Sequence, residues 1–203
     1  AKRSAEIYIK DIKQDLVKDT IMLNAALKRL KQTLANNKAI LSIKKDNKLS
    51  QDSIATVLSV FHSTRIYQIN NSTFLKLLNT GFLESRAYHQ LFSNINTYYT
   101  DEYVTYSEYI EWDEEQSIDV FHNDFLDTYK NEIDITSLFL EYSDHFNSIE
   151  LEMELQTFRG FISSKHFRNK VLANYRRKKR VEERMETQKQ LATDLIDKIN
   201  TSL

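Results

Sequence analysis

The stretch LVKDTIMLNAALKRLKQTLANNKAIL, residues 16–41, decides the fold class of this chain. Leucine recurs through it in steps of three, four or seven residues, with Thr20 and Asn37 filling two positions of the same stripe. This spacing is typical of the heptad stripe along which two helices pack. It predicts a first helix over about residues 3–45, roughly 60 Å long at ~1.5 Å per residue. A helix of that length needs a partner of similar length.

The partner is predicted at the other end of the chain, over about residues 165–201, after the capping pair Ser163-Ser164. Its apolar face is formed by Val171, Tyr175, Met185, Ala192, Ile196, Ile199 and Leu203. Residues 176–183 are polar nearly all round, which indicates either a solvated stretch or ion pairs along a neighbouring helix. We therefore expect an all-α, elongated helical bundle. Its two terminal helices run antiparallel as a stalk, and shorter helices over about residues 50–162 form a cap within one domain.

Composition supports this fold class and disfavours several classes of function. The 203 residues include no proline, no cysteine and only two glycines, which disfavours a many-stranded sheet and glycine-rich phosphate loops. Without cysteine there is no disulfide framework, no thiolate nucleophile and no Cys-ligated metal. The 28 basic and 29 acidic residues leave a net charge of −1, so the overall charge does not predict binding to nucleic acid.

The middle of the chain carries the predicted short helices. Ser50 and Ser72 are N-cap candidates, and Ser85 is predicted to cap a helix that extends to about Ile110. This last helix is acidic and rich in aromatic residues, which suit an interaction surface because they combine a large contact area with a polar tip. The candidate surface consists of Tyr98, Tyr99, Tyr103, Tyr106, Tyr109 and Trp112. The favoured alternative is that these rings pack into the bundle, with Tyr99, Tyr103 and Tyr106 on one face.

Motifs for catalysis or metal binding are weak. No two of His62, His89, His122, His145 and His166 lie three or four residues apart, so no helix supplies a paired histidine face. Asp119–His122 and Glu141–His145 have helical spacing, but a di-iron bundle needs two such motifs and further carboxylates. We predict no catalytic residue, no cofactor and no metal site.

The basic run of residues 176–180 is followed at once by Glu182, Glu183 and Glu186. On a helix these acids fall three and four residues from several of the bases, which favours intrahelical pairing on a solvated face. A patch for nucleic acid or anionic lipid is the disfavoured alternative.

Four segments resemble a bacterial family of small single-pass membrane proteins. The first comprises Lys2-Arg3 and EIYIKDIKQDL, residues 6–16, and the second is STFLKLLNTGFL, residues 72–83. Tyr98-Tyr99 is similar to the family's next helix, and Phe167-Arg168-Asn169 with the terminal Leu-Ile-x-x-Ile of residues 195–199 is similar to its last helix. Thr80 stands where the family prefers serine, and Phe82 replaces a usual polar residue.

The resemblance implies an anchor in the inner membrane, upstream of Ala1, and a helical domain that faces the periplasm. It implies no known activity. We expect a non-enzymatic sensor, scaffold or protein-interaction domain that binds a protein partner or a second copy of itself. The alternatives are a small-ligand-binding bundle that uses the Tyr/Trp-rich helix, a metal-dependent enzyme using His122 or His145, and a cytoplasmic coiled-coil adaptor.

Overall fold

The structure, a computed structural model, describes residues 2–43, 67–80, 88–117, 156 and 159–203. All regular elements in this part of the chain are helical, and it contains no strand. The elements are α1 (Lys2–Ser42), α2 (Ser72–Leu78), α3 (His89–Thr97), a π turn (Tyr98–Glu102), α4 (Tyr103–Ser117) and α5 (Lys165–Ser202). The prediction of an all-α helical bundle with a long helix at each end is confirmed.

Helix α1 buries one face along its length. Its buried apolar residues include Ile9, Ile12, Leu16, Leu23, Leu27, Leu30 and Leu34. The stripe departs from the predicted one at two places, because Asp19 is fully buried beside a partly exposed Thr20, and Ile40 is buried in place of Leu41. Asp19 can occupy the buried face because other parts of the chain donate hydrogen bonds to its carboxylate.

The helix ends show which predicted caps form. The Ser164 hydroxyl accepts a hydrogen bond from the Phe167 backbone N–H at 3.2 Å, so this cap of the last helix is confirmed. Helix α2 begins at Ser72 itself and Asn71 is its N-cap residue, so the predicted cap is wrong by one position. The Asn70 side chain instead accepts from the Ser72 backbone N–H at 3.1 Å. The predicted caps Ser50 and Ser85 lie outside the described residues.

The chain divides into two compact units. The first unit comprises residues 1–30, 65–111 and 180–203, and the second comprises residues 31–64 and 112–179. Each unit therefore contains part of α1, part of the middle of the chain and part of α5. The predicted division into a stalk and a cap stays a prediction.

In the second unit, the ends of α1 and α5 run antiparallel. The Arg168 guanidinium, near the start of α5, donates to the carbonyls of Leu41 and Ile43 at 2.5 and 3.1 Å. Seven residues further along α5, the Tyr175 ring lies 5.6 Å from the Lys38 ammonium. Arg168 thus satisfies carbonyl groups that the end of a helix leaves without an intrahelical partner.

Asp113 on α4 forms the centre of a buried charge network in the second unit. Its Oδ1 accepts from Arg177 Nε at 2.7 Å, and its Oδ2 accepts from Lys178 Nζ at 2.5 Å. Asp113 and Lys178 are each 1% exposed, and Arg177 is 7% exposed. Burial lowers the pKa of the Lys178 ammonium, and the Asp113 carboxylate opposes that shift.

Amide side chains extend this network to α1. Asn174 Oδ1 accepts from Arg177 Nη2 at 2.6 Å, and Asn174 Nδ2 donates to Asn37 Oδ1 at 3.2 Å. Both asparagines are almost fully buried. A buried asparagine within an apolar seam fixes the register of two helices, because any shift leaves its amide without a partner.

The basic run therefore differs in part from the predicted solvated face. Arg176, Lys179 and Arg180 are exposed, whereas Arg177 and Lys178 are buried. The physical reason is Asp113, which lies more than sixty residues earlier in the chain and supplies the negative charge that burial of the two bases requires. The sequence predicted either a solvated stretch or ion pairs along a neighbouring helix. Arg177 and Lys178 form such ion pairs, with Asp113 of α4.

Within the described residues, no helix combines the length and the apolar character that crossing a membrane requires.

We predict that Asp113→Ala lowers the free energy of unfolding by about 3–5 kcal/mol, because it leaves two buried cations without a counter-charge. Urea unfolding followed by far-UV circular dichroism measures this change. The exposed Glu115 on the same helix provides the matched control, and Glu115→Ala is expected to change stability by no more than about 0.5 kcal/mol. Equal stability of the two variants would contradict the role assigned to Asp113.

A triple variant separates charge from packing. Asp113→Leu combined with Arg177→Met and Lys178→Met removes all three charges and keeps apolar volume, so most of the loss seen in Asp113→Ala is expected to be recovered.

Candidate functional site

Two carboxylates, Asp15 and Asp19, lie one helical turn apart on the buried face of α1 in the first unit. Asp15 is 6% exposed and Asp19 is fully buried. Lys18 Nζ lies 3.9 Å from Asp15 Oδ1, and the lysine side chain is largely exposed. This pair is therefore not neutralised by a close, buried ion pair with Lys18, and hydrogen bonds have to stabilise the carboxylates instead.

Those hydrogen bonds come from residues 67–73. The Tyr67 hydroxyl and the Asn70 backbone N–H both donate to Asp19 Oδ1, the latter at 3.2 Å. One turn earlier on α1, Asp15 Oδ2 accepts from the Thr73 hydroxyl at 2.5 Å. The two carboxylates thus hold the segment that leads into α2 against α1.

The π turn buries two consecutive tyrosines of the first unit. Tyr98 and Tyr99 are 3% and 4% exposed, with ring centroids 4.8 Å apart in an edge-on arrangement. Tyr99 also stacks on Phe74 of α2, at 4.8 Å between centroids. A regular α-helix places neighbours about 100° apart, which is why its periodicity predicts Tyr98 off the face of Tyr99. The Tyr103 N–H bonds to the Tyr98 carbonyl, five residues back, and this wider turn accompanies the burial of both rings.

Side chains support the irregular backbone at this point. The Thr100 hydroxyl donates to the Asn96 carbonyl at 2.9 Å. Arg184 on α5 donates to both the carbonyl and the carboxylate of Glu102, at 3.2 and 2.9 Å. One turn into α4, the Tyr106 hydroxyl donates to the Tyr67 carbonyl at 2.7 Å. The π turn, α4 and the 67–73 segment therefore belong to one polar cluster, which we call the tyrosine cluster: Asp15, Asp19, Tyr67, Tyr98, Tyr99 and Tyr106.

Burial dominates the electrostatics of the tyrosine cluster. It raises the pKa of Asp19 to about 6, although the hydrogen bonds from Tyr67 and Asn70 act in the opposite direction. Burial also raises the pKa of Tyr98, Tyr99 and Tyr106. The tyrosine hydroxyls are thus even further from losing their protons at neutral pH than ordinary tyrosines, whereas the pKa of Asp19 moves towards neutral pH.

Several buried polar atoms of the first unit have no hydrogen-bond partner among the described residues. They are Asp19 Oδ2, Tyr98 Oη, Tyr99 Oη, Arg184 Nε, and Oε1 and Nε2 of Gln188. Tyr98 and Gln188 are close enough for the amide to lower the pKa of the hydroxyl, but their geometry is not that of a hydrogen bond. Each such atom costs about 1–3 kcal/mol, so this concentration distinguishes the region from an ordinary core.

Tyr98 also lines a cleft of about 130 Å³ between the π turn and α5. Its lining residues are Asn94, Thr97, Tyr98, Glu102, Leu191, Asp194, Leu195 and Lys198. The cleft is smaller than the roughly 300–1,000 Å³ of sites for drug-sized ligands. A ligand that lies wholly within the cleft is therefore smaller than a drug-sized molecule.

The six aromatic residues of the predicted interaction surface separate into two groups. Tyr98, Tyr99 and Tyr106 are buried, and Tyr103 is half-buried. Tyr109 and Trp112 are 38% and 37% exposed. The proposed role of these residues in binding a partner stays a prediction.

Two of the five histidines can be placed. His89 and His166 are exposed, while His62, His122 and His145 lie outside the described residues, as do their neighbours Asp119 and Glu141. In the part of the chain that the structure covers, no group of three or more histidine, aspartate or glutamate side chains is arranged to hold a metal ion.

Sequence reasoning overlooked Asp15, Asp19, Tyr67 and Gln188. A signal for Asp19 was present, because the steps from Ile12 to Leu16, Asp19 and Leu23 are four, three and four residues. An acid at a position of the apolar stripe indicates a buried carboxylate. Tyr67 and Gln188 carry no comparable signal, since they meet the site only through tertiary packing.

Comparison of the chain with protein-family models, curated proteins and solved structures finds no significant match. The family resemblance and the membrane anchor that it implies therefore stay predictions.

We predict that Asp19→Asn removes a pH dependence of stability. Because the folded pKa of Asp19 is about 6 and its ordinary value is 3.8, its contribution is fully present below about pH 3.8 and is lost as the pH rises to about 6. The loss amounts to about 3 kcal/mol, at about 1.4 kcal/mol per pKa unit. The variant, whose amide oxygen can accept the same two hydrogen bonds, should be more stable than the wild type at pH 7 and similar to it at pH 4.

Urea unfolding at a series of pH values measures the effect, with the exposed Asp11→Asn on the same helix as the matched control. Parallel stability profiles for the wild type and Asp19→Asn would show that Asp19 does not titrate in this range.

Proposed function

We propose that the chain is a non-enzymatic interaction domain, which serves as a sensor or scaffold and is held at the periplasmic face of the inner membrane by an upstream anchor. The observation that carries the interaction role is an apolar ridge on the solvent-facing side of α1. Val17, Ile21 and Ala25 follow one another at steps of four residues and are exposed, with Met22 beside them. Ile21 is the most exposed of these, at 61%.

The position of the ridge supports the proposal. The opposite face of the same part of α1 is fully occupied, because it buries Asp15, Asp19 and Leu23. Single exposed apolar residues are common on soluble proteins, but four within nine residues of one helix form a continuous strip. Such a strip fits the apolar face of a partner helix, which recognises residues at helical spacing. The partner is then a helical segment of another protein or of a second copy of this chain.

The buried charges of the first unit support a binding role over catalysis. Asp15 and Asp19 lie inside the fold and bind residues 67–73, and the tyrosines beside them hold their protons. The two carboxylates hold residues 67–73 against α1. The membrane anchor and the periplasmic location rest on the sequence resemblance.

The α1 ridge is tested by a photo-crosslinking amino acid placed at Ile21 in cells that express the complete gene. We expect a crosslinked species that contains this chain and one defined partner, or a dimer of the chain. The exposed Glu183 of α5 provides the control position, from which the same product should not form. Loss of the product in a Val17→Lys variant supports the ridge. Equal products from positions 21 and 183 would contradict it.

The anchor has a separate test. The product of the complete gene is expected in the inner-membrane fraction, and its helical domain should be degraded by protease added to spheroplasts. Recovery in the soluble cytoplasmic fraction would contradict the anchor and leave the ridge untouched.

A further inference from the structure

The cleft between the π turn and α5 has features of a binding site. The π turn contributes both its first residue, Tyr98, and its last, Glu102, to the lining. Asp194 and Lys198, one turn apart on α5, line the opposite side. Single π turns within α-helices occur frequently at functional sites, because the backbone irregularity that they introduce is otherwise unfavourable.

One residue that lines the cleft, Tyr98, carries an unpartnered buried group. The Tyr98 hydroxyl has no partner among the described residues, and neither have the two polar atoms of Gln188. Gln188 is fully buried and lies one turn before Leu191 and two turns before Leu195, both of which line the cleft. Groups of this kind rarely remain unsatisfied in native proteins, so they call for a polar partner. These atoms have almost no accessible surface, so a ligand in the cleft reaches them only when their side chains turn towards it.

The charges at the cleft specify the ligand further. Glu102 and Asp194 supply carboxylates, and Lys198 supplies an ammonium group. Arg184 donates to Glu102 at 2.9 Å and Gln190 donates to Asp194 at 2.7 Å, so neighbouring side chains hold both carboxylates in place. Acids and a base around one small cleft are complementary to a molecule that carries both a positive and a negative charge.

The size of the cleft sets the size of the ligand. Its volume of about 130 Å³ is close to the roughly 150 Å³ of a cavity that accommodates benzene, a molecule of six non-hydrogen atoms. We propose that the cleft binds a small zwitterion of the free α-amino acid type. Glu102 and Asp194 hold its ammonium group, and Lys198 holds its carboxylate. This site goes beyond the proposed interaction function and does not depend on the α1 ridge.

The test measures the melting temperature and the heat of binding of the chain with the common free L-amino acids at millimolar concentration, one at a time. An amino acid with a small side chain is expected to raise the melting temperature by several degrees and to bind saturably with a stoichiometry near one. Ammonium chloride and sodium acetate, each of which carries one of the two charges, should have no such effect. Absence of a shift with every amino acid would overturn the proposal.

Matched variants locate the bound molecule. Lys198→Met and Asp194→Asn are expected to weaken binding at least tenfold, whereas Lys189→Met and the exposed Asp197→Asn, on the same helix, should leave it unchanged. Tyr98→Phe removes an unpartnered hydroxyl, so the ligand-free chain should fold with equal or greater stability while binding falls about tenfold. Full binding by Lys198→Met and Asp194→Asn would place the ligand elsewhere and overturn the proposal.

Discussion

A charge removed from water needs a partner, and both long helices of this chain carry charges on the faces that they bury. Asp15 and one carboxylate oxygen of Asp19, both on α1, accept hydrogen bonds from residues 67–73. Arg177 and Lys178 of α5 are satisfied by Asp113 of α4. Apolar contacts accept many alternative alignments, whereas a buried ion accepts few. These polar contacts therefore select which segments pack against the long helices, and in which register.

The tyrosine cluster shows how backbone and side chains depend on one another. Two adjacent tyrosines can both be buried because the helix widens at the π turn, and the wider turn is supported by Thr100 and Arg184. Burial also raises the pKa of these tyrosine hydroxyls, so none of them loses its proton near neutral pH. Burial therefore determines both the packing of these rings and the pKa of their hydroxyls.

Local periodicity was sufficient to predict α1 and α5, since leucine spacing and the Ser164 cap are properties of neighbouring residues. It was insufficient to predict which charged and polar side chains are buried. Burial of Arg177 and Lys178 depends on Asp113, which is 64 residues away from Arg177 in sequence. The π turn departs from the regular period on which helix prediction rests, so the face of Tyr98 could not be derived. The cleft arises where segments distant in sequence meet, and no single stretch of sequence encodes it.

The bond from Arg168 to the Leu41 carbonyl joins residues 127 positions apart, and that between Asn174 and Asn37 joins residues 137 positions apart. Contacts of this separation require closure of a loop that contains most of the chain, which is entropically unfavourable and slow. During synthesis the end of α1 that carries Asn37 and Leu41 is made 137 and 127 residues before its partners on α5. This end of α1 therefore stays uncovered by α5 while the intervening residues are made, and an apolar helix face exposed for that time is a site at which nascent chains can associate.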